Sequence, residues 1–338
     1  MVTLREVAQR AGVSIKTVSR IVNGDGGVAT QLRADVQRHI DALGYTPNHA
    51  ARTMRSGHSS VFGLMTDVVA TTPYSVEIVR GVQAALTDAD QTLIIANSDG
   101  DPEREAQLWR MFRAHSTAGV IYAAMYHRPH RLDHPAYDRR IVLANCFAVD
   151  GGAPSIIPDD EKGGYTQARY LLERGHRKIG LITLSPTIEA TRLRGNGIRK
   201  AFRDAGLSFS DGWERVGMVG PIRNERLVAY EAARDLLSQP VRPTAIICGN
   251  DQLALQVYGA AASLGLSVPD DLSIIGFDDF QLISQSLRPM LTTVALPYFD
   301  IGRRAVELMN TTDTSETGAE RMLVPCPLVE RQSCRALV

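Results

Sequence analysis

The sequence predicts a small all-α head joined to a large α/β body built as two similar lobes. Three observations carry that reading. The first 45 residues hold short helical patterns and no strand-like run, whereas from Val61 onward short apolar runs alternate with amphipathic stretches. That alternation is the signature of βα units around a mainly parallel sheet. The number of such runs exceeds what one simple doubly wound sheet holds, which calls for two lobes.

The 338 residues, 44% apolar and 22% charged, are enough for two or three domains with a sizeable core. Lys+Arg and Asp+Glu each total 37, yet residues 1–57 hold eight basic side chains against four acidic, leaving 29 against 33 in the remainder. A basic head on an acidic body points to a polyanion partner for the head alone. The opening Met-Val-Thr-Leu-Arg-Glu has no apolar core of a secretory signal, and no run reaches a membrane span of roughly 18 residues, so a cytoplasmic location without membrane contact is expected. Cys146, Cys248, Cys326 and Cys334 are scattered without CxxC or zinc spacing and read as reduced thiols; no metal and no cofactor is expected.

Each element of the head has a local cause. Thr3 and Glu6 form a capping box ahead of an apolar stripe, Leu4, Val7, Ala8 and Ala11, and Gly12-Val13 breaks the helix. Ser14 caps a second helix, Ile15 to Val22, closed by Asn23-Gly24. A third runs from about Thr30 to Leu43, with Val36, Ile40 and Leu43 inward and Gly44 as its stop. Two short helices joined by a tight turn and braced by a third make a helix-turn-helix.

On a wheel advancing about 100° per residue, Val18, Ile21 and Val22 share one face of the second helix. Ile15, Lys16, Ser19 and Arg20 face outward. A recognition helix reads base edges from its N-terminal end: Arg20 offers a fork to guanine, Lys16 a less directional donor and Ile15 a contact for a thymine methyl. Ser14 and the helix N-terminus suit a phosphate. The plainer alternative is a structural three-helix module with a solvated charged face. His49 to Gly57 spans only about two turns, marginal as a free helix. It fits a segment that orders on DNA, with Arg52 and Arg55 on phosphates and Met54 as a minor-groove wedge; its composition equally fits a flexible linker.

In the body the expected strands are Val61–Thr66, Thr92–Asn97, Gly119–Ala123, Ile141–Asn145, Ile179–Thr183, Ala245–Cys248, Ser273–Asp278 and Thr292–Ala295. The expected helices are about Tyr74–Thr87, Glu103–His115, Gly163–Arg174, Arg194–Ala205, Glu225–Leu237, Asp251–Leu264 and Phe299–Met309. Ligands of such folds sit beyond the carboxyl ends of strands.

The run Thr3-Leu-Arg-Glu-Val-Ala-Gln-Arg-Ala-Gly-Val-Ser-Ile-Lys-Thr-Val-Ser-Arg-Ile-Val-Asn23, followed by Gly44-Tyr-Thr-Pro-Asn48, resembles the LacI/GalR family of bacterial transcription regulators. So do Leu171-Leu-Glu-Arg-Gly-His-Arg-Lys-Ile-Gly-Leu181, Arg192-Leu-Arg194 with Gly197, Cys248-Gly-Asn-Asp-Gln-Leu-Ala-Leu255, Ser273-Ile-Ile-Gly-Phe-Asp-Asp279 and Leu328-Val-Glu-Arg331. The resemblance implies a helix-turn-helix domain over 1–46, a hinge helix over 47–57 and a two-lobed, type I periplasmic-binding-protein-like effector domain over 58–338. Its N-lobe is expected at about 60–160 and 292–323, and its C-lobe at about 161–291 and 324–338. It implies a homodimer on a palindromic operator and a repressor controlled by a small polar effector, a sugar or sugar derivative. The implied DNA contacts are Ser14, Ile15, Lys16, Thr17, Ser19, Arg20 and Asn23 in the head, and Asn48, Ala51, Arg52, Met54 and Arg55 in the hinge. Ala29 replaces a common Ser helix cap, with Thr30 as the substitute.

Asn145 after a strand, Arg194 opening a helix, Asn250 after a strand and Asp278 at a strand end suit a polyol, because carboxylate, guanidinium and amide between them satisfy adjacent hydroxyls. They resemble the family's effector-contacting set, and Tyr74 adds an apolar face from the N-lobe. Gly220-Pro-Ile-Arg-Asn224 stands where many members offer an aromatic. Each residue also has a duller use: Asp278 and Asn250 as caps, Arg194 as the partner of a nearby carboxylate. Asp251 and Asp279 read as structural caps.

The rival from another class is a cytosolic small-molecule-binding protein or enzyme whose N-terminal helices are structural. Gly195-Asn-Gly197 mimics the start of a dinucleotide fingerprint, but Lys200 stands at the third glycine, and no P-loop, GxSxG or HExxH occurs. No catalytic residue is assigned. His127, His130 and His134 lie in a stretch with Pro129 and Pro135 and read as solvated loop side chains rather than metal ligands.

Overall fold

The computed structural model describes residues 2–22, 26–45, 59–89, 91–132, 140–149, 152–220, 224–311 and 321–337. It divides into two compact units, Met1–Ser60 and Val61–Val338.

The first unit holds α1 (Leu4–Ala11), α2 (Ile15–Val22) and α3 (Thr30–Leu43). The capping box forms as its spacing demands: the Thr3 backbone N–H donates to Glu6 Oε2 at 2.7 Å and the Glu6 N–H to Thr3 Oγ1 at 3.3 Å. Gly12 ends α1 at φ +65° and Gly44 ends α3 at φ +63°, left-handed positions that suit glycine. Ser14 Oγ accepts from the Thr17 N–H at 3.0 Å at the start of α2. Ala29 caps α3 with no side-chain hydrogen bond, so Thr30 does not substitute for the missing serine. The core is Val7, Ala8, Val18, Ile21, Val36 and Ile40, all buried, each fully buried Val or Ile contributing roughly 1.5–3 kcal/mol.

The second unit holds two six-stranded sheets, a two-stranded ribbon of β8 (Met218–Val219) and β9 (Arg226–Leu227), and a short α10 (Gln281–Ser284) among its helices. The N-terminal sheet runs β13 (Arg321–Val324), β5 (Ser155–Pro158), β4 (Arg140–Ala148), β3 (Gly119–His130), β1 (Val61–Thr66), β2 (Thr92–Asn97), all parallel. Against its two faces pack α4 (Val76–Asp88) with α11 (Tyr298–Thr311), and α5 (Pro102–Ala114). The C-terminal sheet runs β14 (Leu328–Val329), β12 (Thr292–Ala295), β11 (Ser273–Asp278), β10 (Ala245–Cys248), β6 (Ile179–Thr183), β7 (Glu214–Val216), parallel except for β14. One face carries α6 (Asp160–Glu173) and α7 (Glu189–Asp204), the other α8 (Ala229–Leu237) and α9 (Asp251–Ser263). The chain passes between lobes after β5, after β12 and after β13.

Several expectations need correction. Thr292–Ala295 pairs with Ser273–Asp278 and therefore belongs to the C-terminal sheet, not to the N-lobe; the chain crosses only after it. β3 extends to His130 and β4 to Ala148, beyond the apolar cores that marked them. α6 begins at Asp160 rather than Gly163, because Asp159 accepts from the Lys162 N–H at 3.0 Å. α7 begins at Glu189, which puts Arg194 in its second turn instead of at its start.

Gly164 and Gly197 bring α6 and α7 together. A Cβ on Gly197 would stand 1.8 Å from the Glu161 carbonyl oxygen, and one on Gly164 2.2 Å from that of Arg194. The fingerprint-like Gly195-Asn-Gly197 is thus a helix-packing site, and the contact sets Arg194 beside Asp160.

Candidate functional site

In the head, Ile15, Lys16 and Arg20 are exposed on α2, and Thr17 and Ser19 are partly so. Ile15 keeps 45% of its surface in solvent. Ser14 Oγ also lies 2.8 Å from Thr17 Oγ1, so this pair rigidifies the first turn. Arg20 donates from Nη2 to the Gly26 carbonyl at 2.9 Å, which draws its guanidinium towards the turn after the helix. Asn23, Asn48, Ala51, Arg52, Met54 and Arg55 lie outside the described residues.

In the body, Tyr74, Asn145, Arg194, Asn250 and Asp278 all line one cavity between the lobes. The cavity volume is about 50 Å³. Residues from positions 74 to 278 meet there because strand ends of both sheets point at the same gap.

Asn145 lies within β4 rather than after it, at φ +56°, a left-handed position that asparagine tolerates better than most residues. Its Nδ2 donates to the Ala124 and Met125 carbonyls at 2.9 and 3.0 Å, holding the β-bulge where β3 and β4 lose register. Asn250 does cap α9, its Oδ1 accepting from the Leu253 N–H at 2.9 Å, and it lines the cavity as well. Tyr74 offers more than an apolar face: its hydroxyl accepts from Gln252 Nε2 at 2.6 Å, and its ring lies 5.1 Å from that of Phe280. This ties one lobe to the other.

Arg194 is held on three sides. Nε donates to Asp160 Oδ1 at 2.8 Å, Nη1 donates to the Gly249 carbonyl at 2.5 Å, and the guanidinium stacks 3.5 Å over the Phe277 ring. Nη1 lies 3.9 Å from Asp278 Oδ1. Burial works against its charge, but Asp160 and Asp278 outweigh that and stabilise the cation. Asp278 sits at φ +109°, strain that places it at the cavity wall. Burial pushes its carboxyl up to about 7 against the pull of Arg194, with Asp160 adding to the push. Asp251 and Asp279 face other tasks. Asp251 accepts from the Phe280 N–H and the Thr293 hydroxyl, both at 2.7 Å, and Asp279 accepts from Arg331 at 2.7 Å.

Sequence reasoning missed His127 and Asp160. The histidine region is no solvated loop: His127 and His130 lie on β3, 4% and 8% exposed, His130 stacked 3.9 Å from the Tyr122 ring. His134 lies outside the described residues. Pro129 hid the strand, since proline argues against a central strand position. Asp160 was hidden by its neighbours, Asp159, Glu161 and Lys162, which together look like a solvated turn. Its burial comes from the approach of α7 and of His127 on β3.

Residues 3–48 match the model of bacterial regulatory proteins of the lacI family, and residues 168–334 match that of a periplasmic binding protein-like domain. The ribose operon repressor of Escherichia coli K12 is 32% identical over 336 residues, spanning 98% of this chain and 100% of that protein. The sucrose operon repressor of Shigella flexneri is 33% identical over 337 residues, again 98% and 100%. A crystal structure of a LacI-family transcriptional regulator protein from Rhizobium etli superposes with a TM-score of 0.76 at 41% identity, covering 82% of this chain and 100% of that one. These relatives are regulators rather than enzymes, and the similarity to the two operon repressors runs through both the helical head and the two-lobed body. The chain belongs to the lacI family of bacterial regulatory proteins.

Proposed function

We propose that this regulator is a repressor that binds a palindromic operator as a homodimer and releases it when a neutral sugar or related polyol occupies the cavity between the lobes. The observation that carries this reading is the convergence of five polar side chains from both lobes on one enclosed space beside a buried, charge-balanced Arg194–Asp160 pair.

The hydrogen-bonding groups left over favour hydroxyls. Asn145 has spent its amide hydrogens and retains Oδ1; Asn250 has spent Oδ1 and retains its amide N–H groups. Arg194 keeps Nη2 as a donor, and Asp278 brings acceptors. A hydroxyl group donates and accepts at once, so adjacent hydroxyls satisfy such a mixture. With Arg194 matched by Asp160 and a second carboxylate at Asp278, no surplus cation remains for an anionic ligand. The names of the ribose and sucrose operon repressors support the same ligand class.

On DNA, Ile15, Lys16 and Arg20 read base edges in each half-site while Ser14, Thr17, Ser19 and Asn23 fix the register. Asn48, Ala51, Arg52, Met54 and Arg55 form the hinge that orders in the minor groove, Met54 as the wedge. The sugar acts by linkage: it shifts the dimer only by its difference in affinity between DNA-competent and incompetent arrangements.

The test is fluorescence anisotropy on an operator found by genomic footprinting, titrated with neutral sugars. One sugar is expected to weaken operator binding in the native chain and not in the Asp278→Asn variant, while removal of residues 1–57 abolishes DNA binding and leaves sugar binding intact. Undiminished sugar response in the Asp278→Asn variant sinks the cavity assignment; retained operator binding without residues 1–57 sinks the assignment of the head.

A further inference from the structure

β3 carries His127 along the cavity wall, next to Asp160 and Arg194. Its Nδ1 lies 2.7 Å from Asp160 Oδ2, while the other carboxylate oxygen receives Arg194 Nε. Burial pushes the Asp160 carboxyl up, but Arg194 and His127 outweigh it and hold the group below its ordinary value. An ionised carboxylate only accepts hydrogen bonds, so Nδ1 carries the proton of that bond, and the Nδ1–H tautomer leaves Nε2 as an acceptor. That Nε2 is buried and has no hydrogen-bond partner among the described residues. The ring also borders a larger groove of about 720 Å³, lined by Phe147, Lys162, Arg192 and Arg321, and the nitrogen is sealed from water at both spaces. Buried polar atoms without partners are rare in native proteins, and one in a cavity wall implies a ligand atom that completes it.

We propose that His127 is an effector contact whose Nε2 accepts a hydrogen bond from one hydroxyl of a neutral polyhydroxy ligand, so that it selects the ligand by the placement of that hydroxyl. This rests on the reading of the cavity as the effector site. The Nδ1–Asp160 bond fixes the ring, because β3 belongs to the N-terminal sheet and α6 to the C-terminal lobe. The acceptor is thereby oriented by a contact between the lobes.

The test separates ligand contact from scaffolding. His127→Asn keeps an amide N–H where Nδ1 donates to Asp160 and deletes the acceptor at Nε2. The full-length chain is screened by thermal shift against D-ribose, D-xylose, D-glucose, D-galactose, sucrose and cellobiose, and the most stabilising sugar is taken to calorimetry with its monodeoxy analogues. We expect His127→Asn to bind the parent sugar about tenfold or more weakly, and to match the native protein for the one analogue that lacks the contacting hydroxyl. A purely structural role weakens every analogue equally, and that outcome overturns the proposal. Unchanged affinity in His127→Asn, with binding lost in Asp278→Asn, also overturns it but leaves the cavity reading standing. Undiminished binding in Asp278→Asn, or no stabilisation by any sugar, removes the cavity reading and this proposal with it. Should His127→Asn not fold, the ¹⁵N shift of His127 Nε2 in the labelled native protein decides: movement on adding the sugar supports the contact, and a static resonance overturns it.

Discussion

The head and the body use polar side chains in opposite surroundings. In the head, six apolar residues form the buried core among the described residues, and the polar and charged groups of α2 stand outside it, exposed or half-buried. In the body, the corresponding groups are inside: Arg194 and Asp160 are 6% and 1% exposed and satisfy each other before any ligand arrives. An exposed side chain can be changed with little effect on folding, so it is free to specify a partner. A buried ionic group is bound to the fold, and altering it disturbs structure and recognition together.

The sharpest test of that contrast is Asp160→Ala. It strands the Arg194 cation and the His127 Nδ1–H in a dry site, and should destabilise the body by about 3–5 kcal/mol. Urea unfolding measures this; a loss below about 1 kcal/mol means that water reaches the pair and the contrast between the regions is weaker than drawn. Arg20→Ala probes the opposite pole. It should cost about 1–3 kcal/mol of specific operator binding, with relaxed base preference, and leave the melting temperature unchanged. Intact affinity and preference, measured on operator variants, reject α2 as the reading helix.

Proton linkage at Asp278 distinguishes binding from stability. A carboxyl held up at about 7 favours the folded state in acid: the contribution is complete below its ordinary value of 3.8 and is lost as pH rises through 7. Sugar binding through the ionised form runs the other way, so affinity should fall by up to about tenfold per pH unit below 7. Calorimetry across that range should show the slope in the native chain; an affinity that does not change with pH there means that Asp278 does not titrate on binding. The smallest effect is expected from Thr3→Ala, which removes one side of a surface capping box and should lower the stability of the head by about 1 kcal/mol. Any change in sugar affinity in that variant contradicts the separation of the two roles.

The same contrast governs what could be read in advance. The helices of the head, their caps at Thr3 and Ser14 and their stops at Gly12 and Gly44 follow from neighbours within four residues, so local pattern suffices. The outward face of α2 follows from helical period. The strands of the body were marked by apolar runs, but their polar extensions were not. β3 beyond Ala123 and β4 beyond Asn145 are strand only because each pairs with the other across the bulge that Asn145 holds. β5, between β4 and β13, and β13 at the edge are four-residue pieces recruited by their neighbours, too short to announce themselves.

Sequence alone determined which segments become helices and central strands, which side of α2 faces outward, and which strand-end residues stand near the cavity, because each depends on period or on the end of an apolar run. Tertiary structure alone decided that Asp160 is a buried anion and that His127 presents an unpaired nitrogen. It also moved Arg194 off the helix start and onto Phe277, and assigned Thr292–Ala295 to the C-terminal sheet. Those outcomes require α6 and α7 to close on Gly164 and Gly197, and two lobes to share one wall. The charge state and exposure of a side chain are set by what packs against it from far along the chain, and no local pattern carries that information.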